Sequence, residues 1–409
     1  MIKTTESLTV RDRLGLFFGI SPQLIVTIFL VRLFVDTGVR MVYPFIPQIS
    51  EGLKLTLTGF SWLLFIRSLA GFVGPLFGVL ADRYGRRKIM AVGLLAQCIG
   101  VMGIVLLPGW WTAVPMVLFG VGSTIFIPVQ QAYISDQVSY EKRGRALASV
   151  DISYATVGIF VLPVVGWLIE TFGWRNPFFV LSFLSLIAAA IVWHKFPGTE
   201  ERSQAGQTLP AMWRACLKPN VAASIGVALL LFVSLGCFVT VWSVWLSSDF
   251  GLDAVALGLV ATTIGVAELG GASASGLLID RIGKKRGSQL GMLLTVPLLL
   301  LLPVVRGNLF WIKVTLVSIG ALFEFSIVSL LPLFSEQVPE ARATILSLVG
   351  LGVSVGFGLG PPITALLWEK QGLQSVCLVA ALSLLAALIL LRRFLQEGTP
   401  QSVQVVQEL

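Results

Sequence analysis

Long apolar runs alternate with short polar breaks along the whole of this 409-residue chain. A helix rises about 1.5 Å per residue, so a run of roughly 20 apolar residues crosses a bilayer core of about 30 Å. The pattern predicts six such spans at 20–45, 58–81, 89–107, 112–134, 146–169 and 177–195. Six more are predicted at 221–247, 255–279, 288–305, 310–334, 343–368 and 373–392. The one long polar break, 196–220, falls between them. The expected organisation is an N-terminal unit 1–195, a linker 196–220 and a C-terminal unit 221–409.

Composition agrees with the pattern: 56% of residues are hydrophobic and 12% charged, against about 25% charged in ordinary soluble domains. An integral membrane protein with the lipid bilayer as its surroundings is expected. The net charge of +8 then reads as a topology signal, because basic residues concentrate in cytoplasmic loops. With both termini in the cytoplasm, Arg83, Arg86, Arg87, Lys88, Lys142, Arg143, Arg145, Lys284, Lys285 and Arg286 all fall inside. Lys54, Arg175, Arg306, Lys313 and Lys370 fall outside. The expectation is a multi-pass protein of the cell (inner or plasma) membrane, monomeric, with no nucleic-acid partner. Met1 to Leu14 carries charges and no small-residue cleavage site, which argues against a cleaved signal. Isolated Cys98, Cys216, Cys237 and Cys377 and a lone His194 supply no disulfide frame, metal site or catalytic relay. Neither an enzyme nor a cofactor is expected.

The two sets of spans repeat one another. Gly78, Asp82, Arg83 and Gly85 return as Gly276, Asp280, Arg281 and Gly283, at a constant offset of 198. Asp136 answers Glu336, Arg143 answers Arg342, and Gly158 and Pro163 answer Gly356 and Pro361. Parallel six-helix repeats place a substrate cavity between the halves near the midplane.

The loop Gly78-x-x-x-Asp82-Arg83-x-Gly85-Arg86-Arg87 resembles the signature between the second and third helices of the major facilitator superfamily. Arg143-Gly144-Arg145 and Gly173-Trp174-Arg175 are similar to further features of that family, and the likeness covers nearly the whole chain. The resemblance implies an all-α membrane fold, twelve helices in two six-helix bundles that rock around a central site. It implies a conformational latch on the cytoplasmic side, made here by Gly78, Asp82, Arg83, Gly85, Arg86, Asp136, Asp280 and Arg281. Asp82 would face the start of the eleventh helix near Ala343, and Arg83 or Arg86 would pair with Asp136. Two departures from the family's proton-coupled drug exporters stand out. Met116 occupies the place of their helix-4 arginine, and Gly158-x-x-x-Leu162-Pro163-x-x-Gly166-Trp167 keeps only part of their helix-5 pattern.

Charges within membrane spans are costly, so each needs a partner or a wet cavity. Arg32, Asp36, Arg40 and Tyr43 form one stripe of the first span, and Arg67 lies in the second. Asp36 and Arg67 lie at similar depth, which predicts a pair. Glu268 and Glu324 lie near the midplane without a basic partner on their own helices. Burial disfavours the charged form of a carboxyl, which makes Glu324, Glu268 and then Asp36 the candidate proton carriers. Gln130, Gln131, Trp242 and Trp245 would add amide and aromatic contacts to the cavity. The reading is a secondary active transporter, a proton-coupled exporter of small amphipathic or anionic organic molecules. An uptake permease or uniporter for a small metabolite is the alternative, and a non-transporting receptor or lipid-handling protein is the alternative of another class.

Overall fold

The computed structural model describes residues 19–139, 142–197, 218–338 and 342–397, the side chains of Pro75 and of 342–344 excepted. Helices account for all its regular structure. That is what lipid demands, since a spanning backbone with no water to bond must pair its own N–H and C=O groups. In the first set, α1 is Pro22–Arg40; α2 runs through Leu57–Ser68, a 3₁₀ turn Leu69–Val73 and Gly74–Tyr84; α3 is Arg86–Leu106. There follow α4 (Gly109–Gln137), α5 (Arg143–Phe172) and α6 (Asn176–Lys195). The second set is α7 (Pro219–Phe250), α8 (Ala254–Ile282), α9 (Lys284–Leu301), α10 (Leu309–Glu336), α11 (Arg342–Gln371) and α12 (Leu373–Phe394). The segments 1–18 and 398–409 and most of the expected linker, 198–217, lie outside the described residues.

Ten of these helices are long and apolar enough by themselves to cross a membrane. The other two are α2, divided at its 3₁₀ turn, and α9, which begins with Lys284, Lys285 and Arg286. The first span stops at Arg40 and not at 45 as expected. Pro44 donates no backbone hydrogen bond, so the chain turns there, and Pro47 falls in the first turn of the helix that follows, where a missing N–H costs nothing. It then forms a short helix, Ile46–Gly52, set at 103° to the start of α2. Polar residues at helix starts supply the missing acceptors: Thr56 Oγ1 accepts from Gly59 N at 3.0 Å, and Asp253 Oδ1 accepts from Ala256 N at 2.7 Å. The repeated glycine has a backbone cause. Gly85 and Gly283 turn α2 into α3 and α8 into α9 with φ of +90° and +88°, a conformation side chains resist.

Within the first set α3 packs on α4 and α6, and α1 on α5; within the second, α7 packs on α11 and α12, and α10 on α8 and α9. The sets meet along two seams, α5 with α8 and α2 with α11. Both seams are tight at the end away from the 83–88 and 281–286 loops. There Thr58 Oγ1 donates to Glu369 Oε1 at 2.9 Å, and Ala254 N donates to Glu170 Oε2 at 3.4 Å. Ser243 Oγ of α7 donates to the Tyr43 carbonyl at 2.8 Å, closing the middle of that end. At the basic end a Cβ added to Gly78 or Gly276 would meet nothing within 4 Å. Among the described residues the two sets are therefore closed on each other at one end and open at the end carrying the basic loops.

The basic loops are engaged within their own halves, and the duplication shows in the contacts. Arg86 Nη1 lies 2.9 Å from Asp136 Oδ2 at the end of α4, and Lys284 pairs in the same way with Glu336 at the end of α10. The next basic residue holds the chain leaving the sixth helix of its half. Arg87 donates to the Phe196 carbonyl at 3.3 Å, and Lys285 Nζ to the Leu395 carbonyl at 2.6 Å.

Candidate functional site

A cavity of about 810 Å³ lies between the two sets of helices, within the size range of small-molecule sites. Of the residues named from the sequence, Arg32, Arg40, Tyr43, Arg67, Gln131, Trp242, Glu268 and Glu324 line it. The two seams flank it, so the α5/α8 side and the α2/α11 side are opposite walls.

The α5/α8 wall carries a charge pair that bridges the halves. Arg40 at the end of α1 reaches Glu268 in α8, Nη2 to Oε2 at 2.7 Å, with Arg40 Cζ 4.2 Å above the Tyr154 ring. Gly158 makes room for this guanidinium: a Cβ there would stand 3.2 Å from Arg40 Nη2. Glu324 of α10 also faces the cavity and feels the charges of Glu268 and Arg40. It has no hydrogen-bonded or ion-paired partner among the described residues.

Towards the open end, Arg32 is the hub of a second cluster. Its Nε donates to Asp36 Oδ1 and its Nη1 to Gln130 Oε1, both at 2.9 Å, while Asp151 Oδ1 lies 3.5 Å from Nη1. Ser153 Oγ donates to Asp36 Oδ2 at 2.5 Å. Asp36 and Gln130 thus sit behind Arg32 and not on the cavity wall, unlike the expectation for either. Asp151, Ser153 and Tyr154 were passed over in reading the sequence. Asp151, a charge five residues inside the fifth predicted span, carries the same signal that singled out Glu268.

The expected Asp36–Arg67 pair is not formed. Asp36 is taken by Arg32, one turn back on its own helix, and by Ser153. Arg67 turns the other way: Nη2 donates to the Val39 carbonyl at 3.2 Å, and its Cζ lies 4.5 Å from the Phe119 ring centre and 6.0 Å from that of Tyr43. Trp245 is a second correction. It lies beyond the Ser243–Tyr43 closure, is 1% exposed, and bonds Asp249 at 3.0 Å, so it does not reach the cavity. The loop residues behave differently from one another. Arg86 contacts Asp136 and, at 3.6 Å, Asp82, all within the first half. Among the described residues no hydrogen bond or ion pair carries Asp82, Arg83, Asp280 or Arg281 to the opposite half. The approach of Asp82 to Ala343 falls on a side chain outside the described ones.

This geometry has company among known proteins. The family described as Major Facilitator Superfamily matches residues 28–245 and 224–408. The uncharacterized MFS-type transporter YbcL of Bacillus subtilis (strain 168) is 24% identical over 371 residues, covering 88% of this chain and 92% of its own. Multidrug resistance protein 2 of the same organism is 25% identical over 347 residues, 81% of this chain and 85% of its own. Among solved structures, a D-xylose-proton symporter superposes with a TM-score of 0.71 at 15% identity, over 91% of this chain and 97% of its own, a likeness of fold.

Proposed function

The chain belongs to the major facilitator superfamily, and we propose that this transporter couples protons to the export of small amphipathic or anionic organic molecules by alternating access. The units 1–195 and 221–409 are the two rocking bodies, joined by 196–220. The basic end faces the cytoplasm, which makes the conformation described above the inward-open one in the plasma membrane. The relative named as a multidrug resistance protein supports efflux, and the fold shared with a proton symporter supports proton coupling.

The observation that carries the reading is the Arg40–Glu268 pair between the halves on the cavity wall, with Glu324 beside it. The pair ties α1 to α8 while the outer end is shut. Rocking to the outward-open state separates α5 from α8, and a proton delivered to Glu268 removes the charge that holds Arg40. Glu324, close enough to feel both charges, takes or releases the proton as the cavity is exposed to one side or the other. A change of 1.36 kcal/mol in this interaction is a factor of ten in proton affinity, enough to link protonation to rocking.

Counterflow in proteoliposomes, with a panel of drugs and metabolites and with or without a pH gradient, tests the proposal. Glu324→Gln is expected to abolish gradient-driven accumulation while sparing exchange, which needs no net proton movement. Full gradient-driven transport by both Glu324→Gln and Glu268→Gln overturns the coupling assignment. A second reading, uptake of a small anionic metabolite, is favoured by Arg67, which faces the cavity without a carboxylate partner among the described residues.

A further inference from the structure

The charges of the cavity are unevenly matched. Arg32 is held by Asp36 and Asp151, and Arg40 by Glu268. Arg67 has no carboxylate within ion-pair distance among the described residues; its one bond is to the Val39 carbonyl, through Nη2. Its Nη1 is buried, with no protein acceptor, on a residue only 7% exposed. Ring faces of Phe119 and Tyr43 hold the guanidinium in place, but an aromatic face does not satisfy two in-plane N–H donors. A buried polar group left unbonded is costly, and a guanidinium in a membrane span more so. Packing alone is poorly served by such a residue at this position.

What surrounds Arg67 defines what it would hold. The same wall carries Tyr43 and Phe357, whose rings meet edge to face at 5.0 Å, with Phe232 6.3 Å from Phe357. Trp242 also faces the cavity. One fixed cation thus stands beside a group of rings at the closed end. Glu268 and Glu324 line the opposite wall, and Asp151 stands half exposed towards the open end, its side chain 48% accessible. The surface next to Arg67 is therefore cationic and apolar together.

We propose that this end of the cavity binds a compound with a flat apolar body and one carboxylate, the carboxylate accepting from the Arg67 guanidinium and the body lying against Tyr43, Phe232, Trp242 and Phe357. This deepens the transporter reading, since it takes the same cavity as the transport site and names the chemistry of its ligand.

Three probes of one shape test it: 2-naphthoate, its neutral amide and 2-naphthylmethylamine, titrated into the purified full-length protein in nanodiscs and followed by calorimetry. A charged hydrogen bond in a desolvated site is worth about 1.5–3 kcal/mol, so the naphthoate is expected to bind at least roughly tenfold tighter than the amide or the amine. Arg67→Gln is expected to erase that preference. Arg67→Lys, which keeps the charge and guards against a variant that fails to fold, is expected to keep part of it. Equal binding of the three probes, binding strongest for the amine, no binding of the naphthoate, or a preference that survives Arg67→Gln each overturns the proposal. Failure of the transporter reading shows elsewhere, as the absence of any counterflow across the wider panel, so the two failures are distinguishable.

Discussion

Gly166→Ala is expected to force the closed end of the molecule open. A Cβ added to Gly166 of α5 would meet the Ala254 carbonyl oxygen of α8 at a distance that real Cβ atoms essentially never show, and the obstructing atom is backbone, which no rotamer change can move. The same seam is glycine-lined from the other side: a Cβ on Gly258 would stand 3.0 Å from the Leu162 carbonyl, and one on Gly265 3.1 Å from Gly158. Overpacking of this kind costs typically about 1–3 kcal/mol. Here the cost exists only while α5 and α8 touch, so it acts on the balance between conformations. At 1.36 kcal/mol per factor of ten, it moves that balance roughly 5- to 160-fold towards the outward-open form. The gain in helix propensity from Gly to Ala, about 0.5–1 kcal/mol, applies to both conformations and cancels. Spin labels at Glu51 and Lys370, exposed at the closed end on opposite sets of helices, would report the change as a longer distance, in a background with the native cysteines replaced. Gly78→Ala, which meets nothing within 4 Å in this conformation, is the control expected to leave the short distance in place. An unlengthened distribution in Gly166→Ala refutes the argument that this seam sets the closed state.

Two further outcomes follow from the cavity itself. Arg40→Ala or Glu268→Ala alone is expected to lower transport severely, since removing one partner strands a buried charge at about 3–5 kcal/mol, whereas the charge swap recovers part of the loss; strict additivity in that cycle would remove the pair from the mechanism. Trp242→Ala is expected to weaken 2-naphthoate binding, while Trp245→Phe costs about 1 kcal/mol of stability through its lost bond to Asp249 and leaves binding unchanged; thermal unfolding and calorimetry on the two variants decide between the positions.

The spans and the duplicated loop were legible because both are local. Apolar length is written residue by residue, and Gly85 and Gly283 recur because the same backbone turn recurs. Pairing across the cavity was not legible. Arg40 and Glu268 are 228 residues apart, and nothing in either helix names the other. Asp36 and Arg67 were matched on depth and on their helices being sequential and antiparallel, yet neither says anything of rotation about the helix axis. That rotation gave Asp36 to Arg32 and turned Arg67 to the rings. Trp245 failed for a related reason: the helix face was right, but the loop after α1 closes the cavity between it and Trp242. The 3₁₀ break in α2 is a tertiary matter too, since Gly71 there lies hard against Ser354 of α11. Asp151 could have been found by the rule that found Glu268.

The sign of the ligand's charge decides which direction of transport the cavity suits. Among the described residues two groups deep in the site are unmatched, Arg67 on one wall and Glu324 on the other. With neither ligand nor proton bound their charges offset each other. A carboxylate on Arg67 alone leaves the site one charge negative, and a proton on Glu324 alone leaves it one charge positive; together they restore the balance. Anion and proton therefore favour each other's binding, and by linkage each does so to the same extent, commonly about 1–3 kcal/mol. A cation behaves oppositely, because it and the proton compete for Glu324. An amine preference would thus fit proton exchange and export driven by an inward proton gradient. A naphthoate preference fits co-transport, so that an anion leaves the cell through this cavity only where its own outward gradient exceeds the inward one of the proton. The binding series on Arg67 and the gradient experiments on Glu324 accordingly constrain one another: tight naphthoate binding with accumulation that is strictly proton-exchanging would be inconsistent with two opposed, unpaired charges governing the site.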